Sequence, residues 1–343
     1  MFDPKYVISA KLLVNIKRIS VIVAQLNGQR FSQTVLAKFE QNAREISAHA
    51  STSIEGNPLP LTEVKRIIKS RPEHLRDTEK EVLNYNEALE YVNGLFLKGK
   101  VKFDLDLILK IQKIITKDLI ADFYSGQLRQ GAVFVNDPAA RKAIYLPPDH
   151  QDVPGLMNDL LEFVNGNEKK IDPLVLAGIF HKQFVIIHPF IDGNGRTARL
   201  ATKILLANLG LDTFNLFSFE NYYNNNVSKY FQFVGQIGNY YDIKDGIDYT
   251  RWLEYFTDGI VDELIRVSEE LKAAAITPEN ILKPHHQIIL DYIKECGHIT
   301  DIIYSGLTPR SKPARVNDFN KLIQLGLIER VGKGKATIYK IKQ

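Results

Sequence analysis

The sequence predicts a mainly α-helical protein with one short β-hairpin, followed by a small winged helix-turn-helix domain at the C-terminal end. Three observations carry this. Apolar residues recur at steps of three and four along most of the chain, the period of helices that face a core. A stretch near residues 132–146 breaks that period with two β-favouring runs around a turn. From Leu282 to Gln343 there are 11 Lys or Arg against 5 Asp or Glu, a net of +6 in a chain whose total is +4.

Phe39, Ala43, Ile46, Ala50 and Ile54 form one face of an amphipathic helix, with Ser32 placed to cap its start and Gly56 and Pro58 to stop it. Further helices are predicted over Leu61–Ser70, Thr78–Leu97, Leu105–Leu119, Val153–Asn165 and Pro173–Ile187. Others follow over Gly195–Leu209, Val227–Gly238 and Tyr249–Ala274. The runs Ala132–Val135 and Ala143–Leu146 flank the turn-forming Asn136–Lys142, and Pro147-Pro148 closes the hairpin. A connector near Lys272–Pro284 leads into helices over Gln287–Cys296, Thr300–Ser305 and Arg310–Gly326. Two strands, Ile328–Val331 and Ala336–Ile341, then meet at a Gly/Lys turn. The expected units are an N-terminal helical region (1–98), a central core (99–274) and the C-terminal domain (282–343).

Composition narrows the function classes. With 45% hydrophobic and 24% charged residues the chain can bury a core and remain soluble. A single cysteine, Cys296, allows no internal disulfide framework. The opening residues lack the apolar stretch of a signal peptide, and no run approaches the roughly 18 apolar residues of a membrane span. A cytoplasmic location away from membranes is therefore expected. No Gly-x-x-x-x-Gly-Lys-Ser/Thr phosphate loop occurs.

The most informative segment is His188-Pro189-Phe190-Ile191-Asp192-Gly193-Asn194-Gly195-Arg196-Thr197-Ala198-Arg199. A glycine-rich turn running straight into a helix makes an anion nest: backbone N–H groups converge and the helix dipole adds positive charge. Arg196 and Arg199 are three apart, share a helix face and can contact successive phosphates. Asp192 offers the hard oxygen that Mg²⁺ prefers beside phosphate. His188 precedes the turn, where a neutral imidazole can take a proton from a hydroxyl.

This segment resembles the signature of the Fic (filamentation induced by cAMP) family, His-Pro-Phe-x-Asp/Glu-Gly-Asn-Gly-Arg-x-x-Arg, at all nine specified positions. The resemblance covers roughly Ala10 to Glu270, and includes the flanking helices, the hairpin and Trp252. It implies a Fic-type helical core and a protein adenylyltransferase, which moves the AMP of ATP onto a Tyr, Thr or Ser hydroxyl of a target protein. On this chain it implies His188 as general base, Asp192 as the Mg²⁺ ligand, and Gly193, Asn194 and Gly195 as the phosphate cradle. Arg196 and Arg199 are then the β- and γ-phosphate contacts, and the hairpin is the flap that pins the target segment. Tyr230 is assigned to the adenine pocket, although the Asn–Arg spacing around it departs from the family's.

Ser51-Thr52-Ser53-Ile54-Glu55-Gly56 places a carboxylate at the negative end of a helix dipole, unfavourable by roughly 0.3–1 kcal/mol. Such a local violation often marks function. The segment resembles the family's inhibitory motif, Ser/Thr-x-x-x-Glu-Gly/Asn. That likeness implies that Glu55 pairs with Arg199, with Ser51 and Gly56 completing the motif, and restrains the enzyme.

Two other readings remain. One is a DNA-binding regulator whose core senses a ligand, with Arg310, Lys312 and Arg315 on the recognition helix and Lys333 and Lys335 in the wing. The other keeps the core but transfers UMP, phosphate or phosphocholine. The intact His188 favours catalysis, and the arginine pair favours a nucleoside triphosphate. The expected partners are ATP and a target protein, with DNA and a second copy of the chain raised by the C-terminal domain.

Overall fold

A computed structural model describes residues 2–28, 31, 33–96, 99, 101–136, 143–208, 215–275, 282–332, 334 and 337–342. The chain divides into two compact units. The first holds Met1–Gly28 and Phe39–Val267, and the second Gln29–Lys38 and Ser268–Gln343.

The first unit is helical. It opens with α1 (Ala10–Asn27), α2 (Gln33–Ile54, of which it holds the part from Phe39), α3 (Leu61–Ser70), α4 (Asp77–Phe96) and α5 (Leu105–Ile115). After the hairpin strands β1 (Val135–Asn136) and β2 (Ala143–Leu146) come α6 (Val153–Asn167), α7 (Pro173–Ile187) and α8 (Asn194–Asn208). It continues through α9 (Phe219–Asn224), α10 (Val227–Val234), β3 (Gly238–Asn239), α11 (Tyr240–Ile243) and α12 (Thr250–Ala275, up to Val267).

The core is built around α7. Asp172 caps it by accepting from the Leu174 N–H at 2.9 Å, and Pro173 takes the first turn, where a missing N–H is harmless. Almost every side chain from Leu174 to Ile187 is buried, so this helix is apolar all round rather than amphipathic. Each buried Leu, Ile or Phe there contributes roughly 1.5–3 kcal/mol. Trp252, on α12, is fully buried and donates Nε1–H to the Gly178 carbonyl at 2.8 Å.

Several boundaries differ from the sequence reading. Helix α5 stops at Ile115 rather than Leu119, because the Thr116 hydroxyl turns back to the Gln112 carbonyl (2.9 Å) and Asp118 takes a positive φ of 57°. Helix α10 stops at Val234, with Gly235 extended. Helix α1 was not evident, since its apolar residues fall on both faces: Leu12, Ile19 and Val23 are buried while Leu13, Val14 and Val21 are exposed. Asn15 anchors it, donating to Thr257 (3.0 Å) and Asp258 (2.8 Å).

The hairpin forms: β2 spans the expected Ala143–Leu146, while β1 is shorter than the expected Ala132–Val135 and reaches one residue further toward the turn. Val135 pairs with Tyr145 in an antiparallel ladder, and β3 adds in parallel beside β2. The Tyr145 hydroxyl donates to the Ile186 carbonyl at 3.0 Å, tying the sheet to the end of α7. The expected turn at 137–142, the cap at Ser32, and Lys333 and Lys335 lie outside the described residues.

In the second unit, α13 (Pro284–Cys296), α14 (Asp301–Leu307) and α15 (Lys312–Gln324) precede the antiparallel pair β4 (Ile328–Val331) and β5 (Ile338–Ile341). Its core is Ile289, Leu290, Ile293, Ile299, Tyr304, Phe319, Leu322 and Ile328. Tyr339 stacks on Phe319 with centroids 3.9 Å apart. Among the described residues no helix is long and apolar enough to cross a membrane.

Candidate active site

His188 ends α7 in the left-handed conformation (φ 52°, ψ 60°), with its N–H on the Phe184 carbonyl at 3.0 Å. Pro189 prevents the helix from continuing. The ring is half-buried, and Nδ1 lies 3.2 Å from the Val185 carbonyl. A carbonyl only accepts, so the neutral ring carries its proton on Nδ1 and keeps a lone pair on Nε2. Burial lowers the imidazole pKa and favours that neutral form. Glu55 and Asp192 act in the opposite direction, while Arg129 reinforces the lowering.

The loop after His188 is closed by Asn194, which takes the Phe190 N–H and donates to the Phe190 carbonyl, both at 2.9 Å. Gly193 sits at φ +81°, a conformation costly for any residue with a side chain. Gln112 donates to the Asp192 carbonyl at 3.2 Å and holds the loop from α5. Helix α8 starts there, so its unpaired N–H groups face the loop's concave side.

An anion of the chain itself already lies in that nest. A Cβ added to Gly195 would fall 2.1 Å from Glu55 Oε1, so the carboxylate rests against the glycine backbone where no side chain fits. Glu55 follows the last residue of α2, and Gly56 turns the chain away at φ +95°. Arg199 Nη2 donates to Glu55 Oε1 and to the Ser51 carbonyl, and Nε donates to Ser51 Oγ, each at 2.8 Å. Burial disfavours the guanidinium charge, and Glu55 together with Tyr230 and Tyr85 more than offsets this, so its pKa ends above the ordinary value.

Arg196 is equally buried and differently engaged. Nη2 reaches Asp192 Oδ2 at 2.9 Å, and Nη1 lies 3.4 Å from Glu81 Oε1. Its Nε and Nη1 have no hydrogen-bond partner among the described residues. Buried donors of a cation left unmade are costly, and Nη1 has only the 3.4 Å contact with Glu81 to offset this. The Asp192 side chain is 46% exposed, and a half-exposed carboxylate beside an anion nest fits Mg²⁺, which takes few protein oxygens and keeps water and phosphate ligands.

Tyr230 is buried behind Arg199. Its hydroxyl lies 3.4 Å from Arg199 Nη1 and 3.1 Å from His181 Nε2, and His181 Nδ1 lies 3.0 Å from Thr202 Oγ1. Thr202 donates to the Ala198 carbonyl at 2.7 Å. The proton directions are consistent throughout: Arg199 donates to Tyr230, Tyr230 to His181, and His181 to Thr202. Burial, and then the Arg199 charge, push the His181 pKa down to about 3, as this neutral role requires.

The structure thus brings His188, Asp192, Gly193, Asn194, Gly195, Arg196, Arg199, Tyr230, Ser51 and Glu55 to one end of α8. Sequence reading missed Arg129, Gln112, Glu81 and His181, which act through carbonyls or across helices and leave no spaced motif. A second layer was also missed. Lys203, one turn beyond Arg199, donates to Ser47 Oγ at 2.8 Å and pairs with the fully buried Glu220 at 3.4 Å. Glu220 also accepts from Tyr85 (3.0 Å) and Ser218 (2.9 Å). Its only sequence trace is the four-residue step Ser47, Ser51, Glu55 along α2 and just past its end.

In the second unit, Arg310 is bound to Asp318 (2.7 and 3.0 Å) and Arg315 to Asp301 (2.8 and 3.0 Å), so both are committed inside it, while Lys312 is exposed. His285, His286 and Asp318 bring three potential metal-ligand atoms within 4.8 Å. His286 Nδ1, however, accepts the Lys283 N–H at 3.2 Å, which puts the ring proton on Nε2 toward Asp318. Asp318 Oδ1 lies 3.3 Å from His285 Nε2 and 3.5 Å from His286 Nε2, so the trio is already drawn together around the carboxylate that Arg310 binds.

Residues 102–206 match the model of the Fic/DOC family. A protein adenylyltransferase Fic from Nematostella vectensis is 31% identical over 164 residues, 47% of this chain and 36% of that protein. Its namesake from Aedes aegypti is 27% identical over 220 residues, 59% of this chain and 42% of that protein. The chain thus spans well under half the length of these relatives. The crystal structure of a Fic family protein from Desulfovibrio desulfuricans G20 superposes with a TM-score of 0.65 at 21% identity, covering 99% of this chain and 98% of that one. Fic-1 from C. elegans superposes at 0.59 with 20% identity, over 78% of this chain and 74% of its own. These likenesses show the fold.

Proposed function

We propose that this chain, a Fic-family protein by its residues 102–206 and by its fold, is a protein adenylyltransferase that holds itself inactive through Glu55. The observation that carries the reading is the anion nest of α8, with unpaired Arg196 donors on one side and Glu55 bound to Arg199 on the other. A nest, two buried arginines and a carboxylate suit a polyphosphate, and a neutral His188 beside them suits a hydroxyl acceptor.

In this reading ATP lies with its phosphates along the first turn of α8. The target hydroxyl gives its proton to His188 Nε2, and its oxygen forms a bond to the α-phosphorus. The bond from that phosphorus to the β-phosphate bridging oxygen breaks, and pyrophosphate leaves. Arg196 and Arg199 hold the β- and γ-phosphates in line with the attack. Asp192 would hold Mg²⁺, which would supply charge neutralisation at the phosphates. Glu55 occupies Arg199 and lies against Gly195, so the γ-phosphate is denied its place and the α-phosphate is turned from the in-line pose. The 2.8 Å Arg199–Glu55 contact and its burial support this.

The test is mass spectrometry of lysate proteins incubated with the Glu55→Gly enzyme and ATP. AMP adducts on Tyr, Thr or Ser side chains are expected. Adducts of another phosphate-containing group, or none, would overturn the assignment.

A further inference from the structure

We propose that Arg129 is a positioning residue that couples both feet of the β1–β2 hairpin to His188. The proposal rests on the reading of His188 as the general base.

Arg129 is 3% exposed. A guanidinium so buried is ordinarily neutralised by a carboxylate. Here its hydrogen bonds among the described residues all go to main-chain carbonyls. Nε donates to His188 at 2.8 Å, Nη1 to Gly131 at 2.9 Å and Nη2 to Pro148. Its own backbone N–H donates to Pro189 at 2.9 Å. Burial draws the guanidinium pKa down, and the nearby Asp149 carboxylate, which makes no hydrogen bond to it, only partly opposes this.

The three side-chain acceptors belong to three separate segments. Gly131 leads into β1, Pro148 lies just past β2, and His188 carries the imidazole. One rigid planar fork therefore sets the spacing between the hairpin's two feet and the catalytic loop. His188 needs such a hold: its left-handed backbone is strained by roughly 1–2 kcal/mol and persists only where neighbours over-determine it. The Phe184 bond fixes its N–H side and Arg129 fixes its carbonyl side. A target segment that pairs with the hairpin pulls on Gly131 and Pro148, and through Arg129 on the base. Target docking and base alignment then become one event. The charged groups facing the imidazole are Glu55, Asp192 and Arg129 itself.

The experiment uses the full chain in the Glu55→Gly background, with Arg129→Lys and Arg129→Met added separately. Lysine keeps the charge but cannot span three carbonyls, and methionine keeps only the bulk. We expect kcat for AMP transfer to fall about a hundredfold for methionine and less for lysine, with KM for ATP unchanged, since a displaced base costs turnover and not nucleotide binding. Hydrogen exchange should rise at residues 131–136 and 143–146 in both, Pro147 and Pro148 having no amide N–H. Unchanged kcat and unchanged exchange in a folded variant overturn the proposal, as does an effect confined to KM for ATP. If the methionine variant fails to fold, the lysine variant decides alone. If the Glu55→Gly parent transfers no AMP, the adenylyltransferase reading has failed by itself. Exchange at the hairpin feet, with the NMR signal of the His188 ring, then decides the coupling: both unmoved in Arg129→Lys overturns it, both moved sustains it.

Discussion

Arg199 has three donor nitrogens and divides them among Ser51 of α2, Glu55 just past its end and Tyr230 of α10. Nη2 serves Glu55 and the Ser51 carbonyl, Nε serves Ser51 Oγ, and Nη1 faces Tyr230. Loss of Glu55 therefore leaves Arg199 bonded to Ser51 and Tyr230 and held in place. Glu55→Gly should lower stability only by about 1–3 kcal/mol, the range for one charged hydrogen bond, and urea denaturation checks this. A larger loss would mean that Glu55 is structural first. His181 gives a second expectation at this scale. Its folded pKa of about 3 lies below the ordinary 6.5, so between those values the unfolded chain binds a proton that the folded one refuses. Stability is then complete above pH 6.5 and falls as pH drops toward 3, by about 1.4 kcal/mol per unit. Replacing His181 with Gln should flatten that slope in denaturation curves taken from pH 4 to 7.

Helix α2 lies on α8 through two polar layers, Glu55 and Ser51 on Arg199 and Ser47 on Lys203. The deeper layer includes the fully buried Glu220, which pairs with Lys203 at 3.4 Å. Lys203→Met should destabilise by about 3–5 kcal/mol, because it strands a buried carboxylate. Adding Glu220→Leu should recover much of that loss, and thermal unfolding of the two variants decides it. This element also shows what a sequence can reveal. The Glu55 anomaly was legible because a carboxylate at a helix end breaks a local rule. Lys203 and Glu220 were not, because each looks like an ordinary surface residue until two distant helices pack. The hairpin was legible from its β-favouring runs. Its third strand, β3, was not, since a parallel pair of two residues carries no period. Arg129 has no signature at all: carbonyl acceptors exist at every position.

At the scale of the molecule, the motif from His188 to Arg199 specified nearly the whole site, because a nest and its cations are contiguous in sequence. What it could not specify is the partner of Arg199, a carboxylate 144 positions away in the chain. The same limit holds for the basic C-terminal unit. Its net +6 was legible, but the commitment of Arg310 and Arg315 to Asp318 and Asp301 appears only on folding. The central claim is that competent chemistry is restrained from within. The most direct measurement is incorporation of labelled AMP from ATP by three full-length proteins side by side: unmodified, Glu55→Gly, and Glu55→Gly with His188→Ala. The account predicts weak labelling of the first, strong labelling (including automodification) of the second, and none of the third. Equal labelling by the unmodified and Glu55→Gly proteins, or labelling that survives loss of His188, would contradict it.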